Sequence, residues 1–224
     1  MSLRNALANI HRDPLWWRKL LVGGALMLTI FGYPWAAGLV IESMENTRKG
    51  FPTPLPPWRE WSMRYIIGLF AVLIDILFFG LPVLAVGLLF LCVGVLLLSS
   101  SAGGATWLPI AGLSAIGAYE LAIFLAGVSP VGRLIYAEAG RVEDALSMQA
   151  LRAALRPRAR GIYARARLRS LPAYAPFALL ALASWLVSWP LRLVLVWLAL
   201  SALLYAHLAV AQLYAAAESD VRFG

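Results

Sequence analysis

The sequence predicts an all-α polytopic membrane protein, a bundle of about six transmembrane helices with additional helices at the membrane surface. Hydrophobic residues make up 62% of its 224 residues and charged residues only 13%, about half of the ~25% that is typical of soluble proteins. No Asp, Glu, Lys or Arg occurs from Ile76 to Tyr119. That run is long enough for about two spans of ~20 residues each.

The N-terminal region predicts a surface helix followed by a first span. Leu3, Leu7 and Ile10 recur at helical spacing, so we expect residues 2–12 to form a short interfacial helix. Asp13-Pro14 is a good helix start, and the first span is predicted at 14–41 because the apolar stretch is too long for a cleaved signal. Pro34 should kink this helix, since it removes one backbone hydrogen bond.

The remaining apolar stretches complete a single integral-membrane domain over 1–224. A continuous helix from Trp61 to Leu98 would be about 57 Å long at ~1.5 Å per residue, well beyond a bilayer core, so we predict a hairpin at Gly80–Pro82. The alternative is one kinked helix and five spans in all. The predicted spans are 14–41, 61–79, 82–98, 107–128, 171–189 and 191–217.

The segment 130–169 is strongly basic and is predicted to lie at the membrane surface as two helical pieces. Nine arginines occur between Arg133 and Arg169, in a chain of net charge +8. Beside membrane spans such a segment indicates contact with anionic lipid headgroups or with a partner's acidic surface, rather than with nucleic acid. The positive-inside rule then places both termini in the cytoplasm. The predicted headgroup contacts are Arg152, Arg156, Arg158, Arg160, Arg165, Arg167 and Arg169.

The stretch FPTPLPPWREW, residues 51–61, has two interpretations. Its PxxPxR pattern is what proline-rich ligands offer to SH3-type grooves. However, the predicted topology places it in a tight non-cytoplasmic loop between two spans. We therefore interpret it as a stiff collar, in which Trp58 and Trp61 anchor the next helix at the interface.

Two carboxylates and one histidine are the main candidate functional groups. Asp75 and Glu120 fall inside predicted spans, where carboxylates often mark ion or proton paths and also serve as hydrogen-bonded packing groups. Arg192 is the one basic residue expected near their depth. Tyr33-Pro34 could mark a broken helix at a transport site, and His207 could ligate a haem or pigment metal.

No motif predicts enzymatic activity. The sequence has no nucleophile elbow, Walker loop, HExxH or paired metal ligands, and its single cysteine, Cys92, excludes a disulfide framework. We expect a non-enzymatic accessory, assembly or scaffold subunit of a membrane complex, without a cofactor. The alternatives are a small transporter or channel, and a pigment- or haem-bearing subunit.

Several elements together resemble an uncharacterised prokaryotic membrane family, known as domain of unknown function 4013. They are Gly32-Tyr33, a charged stretch from Glu42 to Gly50, Leu55-Pro56-x-Trp58-x-x-Trp61, Pro130 with Tyr136-Ala137 and Gly140, and a closing helix from Tyr205 to Tyr214. The sequence departs from the family pattern at Pro57 and Arg59-Glu60. The resemblance extends over nearly the whole chain and implies a multi-pass helical protein of no known activity.

Overall fold

The computed structural model describes residues 1–80 and 130–222, together with positions 83–84, 86–88, 90–92, 94 and 114. Within these ranges all regular structure is helical. The helices are α1 Leu3–His11, α2 Trp16–Met27, α3 Tyr33–Arg48, α4 Trp61–Asp75, α5 in 130–139, α6 Val142–Ala145, α7 Met148–Leu155, α8 Pro157–Ser170, α9 Ala175–Trp185 and α10 Leu191–Arg222.

The long helix α10 is the centre of the bundle. It contacts α1, α2, α3, α8 and α9, and its fully buried side chains include Leu204, Leu208 and Gln212. Gln212 Nε2 donates a hydrogen bond to Ser43 Oγ of α3 at 3.3 Å. The predicted end of the last span at 217 is close to the observed end at Arg222.

The first predicted span is not one helix, which corrects the prediction of a kinked helix over 14–41. α2 ends at Met27, a short 3-10 turn follows at Ile30–Gly32, and α3 starts at Tyr33 with Pro34 in its first turn. Proline has no N–H to donate and therefore fits the first turn of a new helix better than a helix interior, and a Cβ on Gly32 would overlap the carbonyl of Leu26. The chain therefore makes a full break instead of a bend.

Two close crossings hold the N-terminal helices. A Cβ built on Gly68 of α4 would overlap the carbonyl oxygen of Pro34 and lie 2.7 Å from the amide nitrogen of Gly38 in α3. Gly24 of α2 approaches Ser201 of α10 equally closely. Both crossings bring backbones together where only glycine fits, which is the small-residue packing expected between membrane helices.

Two described helices are long and apolar enough to cross a membrane, Trp61–Phe78 and Leu191–Val221. Of the predicted span 82–98, nine positions between 83 and 94 are described, and all nine are helical. Of the predicted span 107–128, only position 114 is described. The helix predicted over 61–79 is observed as α4 followed by a π-helical turn, Ile76–Gly80. The number of six spans stays a prediction.

Two segments predicted at the membrane surface are partly built into the protein. α1 has the expected length, with Ser2 as its N-cap, but it packs Ala6 and Ile10 into the hydrophobic core. The start of 130–169 is also buried, because Val131, Leu134 and Tyr136 lie in the core. The later part exposes arginines on one side and packs Ala159, Tyr163 and Ala166 into the core on the other.

Candidate functional site

Four polar side chains meet where the break between α2 and α3 faces α4, α5 and α10. Tyr33 is the first residue of α3, Asp75 is the last of α4, Arg133 lies in α5, and His207 lies in α10. We call Tyr33, Asp75, Arg133 and His207 the polar cluster. Tyr33, Arg133 and His207 line one narrow space with apolar neighbours, and that space is too small to admit a water molecule.

A bidentate ion pair between Arg133 and Asp75 organises the polar cluster. Arg133 Nε donates to Asp75 Oδ1 at 2.6 Å, and Arg133 Nη2 donates to Asp75 Oδ2. The hydroxyl of Tyr33 interacts with the same guanidinium group. Planar guanidinium and carboxylate groups match well in this arrangement, which satisfies both charges within the protein.

The partner of Asp75 differs from the one considered on sequence grounds. Arg192 does not reach this carboxylate. It donates instead to the carbonyl oxygens of Ser184 and Val187, at 3.1 Å each, and so closes the C-terminal end of α9. Glu120, the second predicted carboxylate, lies outside the described residues. The structure thus brings Asp75 and the Tyr33-Pro34 break together and joins them through Arg133.

His207 contacts an aromatic ring rather than a second histidine. Its ring meets that of Tyr174 edge-on, with centroids 6.0 Å apart. The other histidine in the sequence, His11, lies 2.9 Å from the hydroxyl of Tyr205 and stacks on that ring. The described residues contain no group of three potential metal ligands. A haem held by two histidines therefore does not fit the arrangement.

A second buried arginine was not anticipated from the sequence. Arg64, 3% exposed, donates from Nε and Nη2 to the two carboxylate oxygens of Glu42, at 2.9 and 2.7 Å. Its Nη2 also donates to the carbonyl of Pro57 at 2.7 Å, and the group lies 5.1 Å from the Trp58 ring. The sequence did contain a signal for this pair, because Arg64 is a charge near the start of an apolar helix. A buried charge requires a counter-charge, so a carboxylate partner could have been expected.

A third arginine joins α3 to α5 and α10. Arg48 of α3 donates from Nε to Glu218 of α10 at 2.7 Å, and its Nη2 lies 3.2 Å from Glu138. Three arginines in the bundle thus each contact a carboxylate from another segment. These pairs neutralise charge inside the protein.

The loop 51–60 is fixed by donors from three helices. Lys19 Nζ donates to the carbonyl of Leu55 at 2.8 Å, Asn46 Nδ2 donates to that of Pro54 at 3.1 Å, and Arg64 reaches Pro57. Trp58 Nε1 returns a hydrogen bond to the carbonyl of Lys19 at 3.2 Å. Leu55 is 2% exposed. These contacts agree with the interpretation of the loop as a stiff collar.

The predicted lipid-contacting arginines fall into different environments. Arg152, Arg156, Arg158, Arg165 and Arg169 are exposed, whereas Arg160 and Arg167 are partly buried. Arg167 Nη1 donates to the hydroxyl of Tyr174 at 2.8 Å, and its guanidinium lies 5.0 Å from that ring. Of the two tryptophans predicted at the interface, Trp61 is exposed and Trp58 stacks on it, with centroids 5.2 Å apart.

The broken, glycine-crossed helices and the anchored Leu-Pro-x-Trp loop define an all-helical protein. Residues 21–189 match the family described as Protein of unknown function (DUF4013), and the chain belongs to that family. The match includes the loop 51–61 and the start of α5, whereas α1 and α10 lie outside it, so the likeness expected for Tyr205–Tyr214 is not part of the match. No curated protein matches the chain. No solved structure matches it.

Proposed function

We propose that this protein is a non-enzymatic integral membrane protein that serves as an accessory, assembly or scaffold subunit of a membrane complex. Its proposed location is a prokaryotic inner membrane with both termini in the cytoplasm. The observation that carries the proposal is the apolar outer surface of the α9–α10 hairpin. Its most exposed side chains, between 66% and 88% exposed, are Leu179, Leu182, Trp185, Leu186 and Trp189.

The hairpin surface requires an apolar environment. Contiguous exposed apolar surface is rare on soluble monomers and marks membrane or protein contacts. α4 adds a second such surface through Met63, Ile66, Leu69 and Leu73, on one of the two helices able to span a bilayer. Lipid chains, the helices of a partner subunit or the predicted spans 82–98 and 107–128 of the same chain would cover these surfaces.

The polar cluster supports a structural role over a transport role. A transport path requires a charged group that is free to bind an ion or to exchange a proton. Asp75 is occupied by Arg133 on both carboxylate oxygens. An ion pair of this kind joins α4 to α5 and leaves no free carboxylate at Asp75 for proton exchange.

Membrane location and partnership can be tested in the same cells. We expect the full-length protein to stay in the membrane pellet after alkaline carbonate washing. A photo-reactive phenylalanine analogue at Leu182 or Leu69 should then form adducts with another membrane protein. Release by carbonate would contradict the membrane assignment. A lone monomer in mild detergent, with no protein adduct at either position, would contradict the accessory role.

The second candidate function is transport, favoured by the meeting of Asp75 with the helix break at Tyr33. If it were correct, purified protein in liposomes would conduct ions or protons. The Asp75→Asn/Glu120→Gln variant would then abolish that flux while remaining folded. We expect no flux in the parent protein, and a flux that disappears in the variant would replace our proposal.

The proposal also excludes a pigment role for His207. Protein purified in mild detergent should absorb only in the aromatic ultraviolet. A visible absorption band that is lost in His207→Phe would establish a bound chromophore and contradict this part of the proposal.

A further inference from the structure

A pocket opens between α8 and α10, on the opposite side of α8 from Arg167. Its volume is about 230 Å³, below the ~300–1,000 Å³ of sites for drug-sized ligands. The residues around it combine positive charge with apolar surface. They are Met1, Arg158, Ile162, Arg165, Ala166, Arg169, Leu213, Ala217 and Asp220.

Helical spacing sorts the arginines of α8 into two sets. Arg158, Arg165 and Arg169 are separated by seven and four residues, so they share one face of the helix, and all three line the pocket. Arg167 points away and holds Tyr174. Arg156 precedes α8 and is exposed without lining the pocket. The positive charge at the pocket therefore comes from the arginines on one face of α8 and not from the basic segment as a whole.

The chemistry of the pocket fits a phosphate group attached to an apolar chain. Guanidinium groups recognise phosphate oxygens through paired hydrogen bonds and retain their charge at any physiological pH. The lining residues include these three guanidinium groups and one carboxylate, Asp220. The floor is apolar, formed by Ile162 and Ala166 of α8 with Leu213 and Ala217 of α10. A free phosphate would gain nothing from such a floor, whereas the first methylene groups of a lipid would be buried there.

We propose that this pocket is a specific site for the phosphate headgroup of an anionic phospholipid, read by Arg165 and Arg169 together with Arg158. The site rests on the proposed membrane location. Basic pockets beside membrane helices on the cytoplasmic side are a recurrent place for such headgroups. The inference assigns a ligand class to three residues of the basic segment and excludes the remaining arginines from the site.

The test uses the full chain in nanodiscs of phosphatidylcholine to which phosphatidylglycerol is added, with bound lipid counted by native mass spectrometry. We expect Arg165→Gln/Arg169→Gln to weaken phosphatidylglycerol binding about 30-fold, at ~1 kcal/mol for each charge near the surface. Arg152→Gln/Arg156→Gln removes the same charge outside the pocket and should change binding less than about 3-fold. Arg165→Lys/Arg169→Lys keeps the charge but loses the paired donors, so it should weaken binding less than the glutamine variant does.

Each outcome decides the inference. Equal losses in the two glutamine variants would show diffuse attraction to a basic surface and overturn a specific pocket. Displacement of the lipid by millimolar inorganic phosphate would show that the apolar floor contributes nothing, and would overturn the lipid assignment. Circular dichroism should show the same helical content in all variants. If the parent protein inserts into nanodiscs but does not distinguish phosphatidylglycerol from phosphatidylcholine, the pocket fails while the membrane assignment stands.

Discussion

Helices α4 and α8 contain the same two residue types in opposite settings. In α4, Arg64 and Gly68 both face α3, where the arginine is buried against Glu42 and the glycine admits the backbone of Pro34. In α8, Arg169 is exposed, and a Cβ on Gly161 would meet no atom within 4 Å. The difference teaches that composition alone does not tell a structural arginine from a surface one, because the neighbouring helix decides.

The largest effect is expected from the buried arginine. Arg64→Met should lower the free energy of unfolding by about 3–5 kcal/mol, because it leaves the Glu42 carboxylate without its counter-charge inside the bundle. Arg169→Met, the matched change on α8, should cost less than about 0.5 kcal/mol. Denaturant titration in detergent, followed by circular dichroism, measures both. Equal losses would show that the two helices do not differ in the way described.

The glycines give a second, smaller contrast. Gly68→Ala should destabilise the protein by about 1–3 kcal/mol, since the added methyl group forces α3 and α4 apart. Gly161→Ala should leave stability unchanged or raise it by up to about 1 kcal/mol, because alanine favours a helix more than glycine does. Denaturant titration in detergent, followed by circular dichroism, measures both changes. A neutral Gly68→Ala variant would mean that the α3–α4 crossing is wider than the structure shows.

Breaking the Asp75–Arg133 ion pair of the polar cluster should lower the free energy of unfolding by less than the loss of Arg64 does. Asp75→Asn should cost about 2 kcal/mol, as expected for a charged hydrogen-bonded pair that is only partly exposed. The Asp75→Asn/Arg133→Gln variant should recover part of that loss, which a double-mutant cycle detects as a coupling energy. Glu45→Gln, which breaks the exposed pair with Lys49, should cost only about 0.3–0.5 kcal/mol. Strict additivity of the Asp75 and Arg133 changes would show that the pair is not coupled.

Local patterns predicted the elements that depend on neighbours in sequence. The start of α4 at Trp61, the helix α1 and the long α10 follow from apolar periodicity and length, and the anchored loop follows from its prolines and tryptophans. The partners of Arg64, Arg48 and Asp75 could not be predicted in this way. They are 22 to 170 residues distant in the chain, and only the packing of helices brings them together. The break before Tyr33 was interpreted as a kink because proline alone does not show how closely Gly32 approaches Leu26.

The contacts of the loop 51–60 bear on the order in which parts of the protein fold. Its carbonyl acceptors and their three donors, Lys19, Asn46 and Arg64, all belong to the first 64 residues, with sequence separations of 7 to 36. The contacts of the final helix with α2 and α3 span far greater distances, such as that from Trp197 to Leu21 across 176 residues. Short-range contacts form with less loss of chain entropy than long-range ones. Once α4 has been synthesised, every group in these three hydrogen bonds is present. We therefore expect α10 to pack last, against α2, α3 and α4 already joined through the loop 51–60.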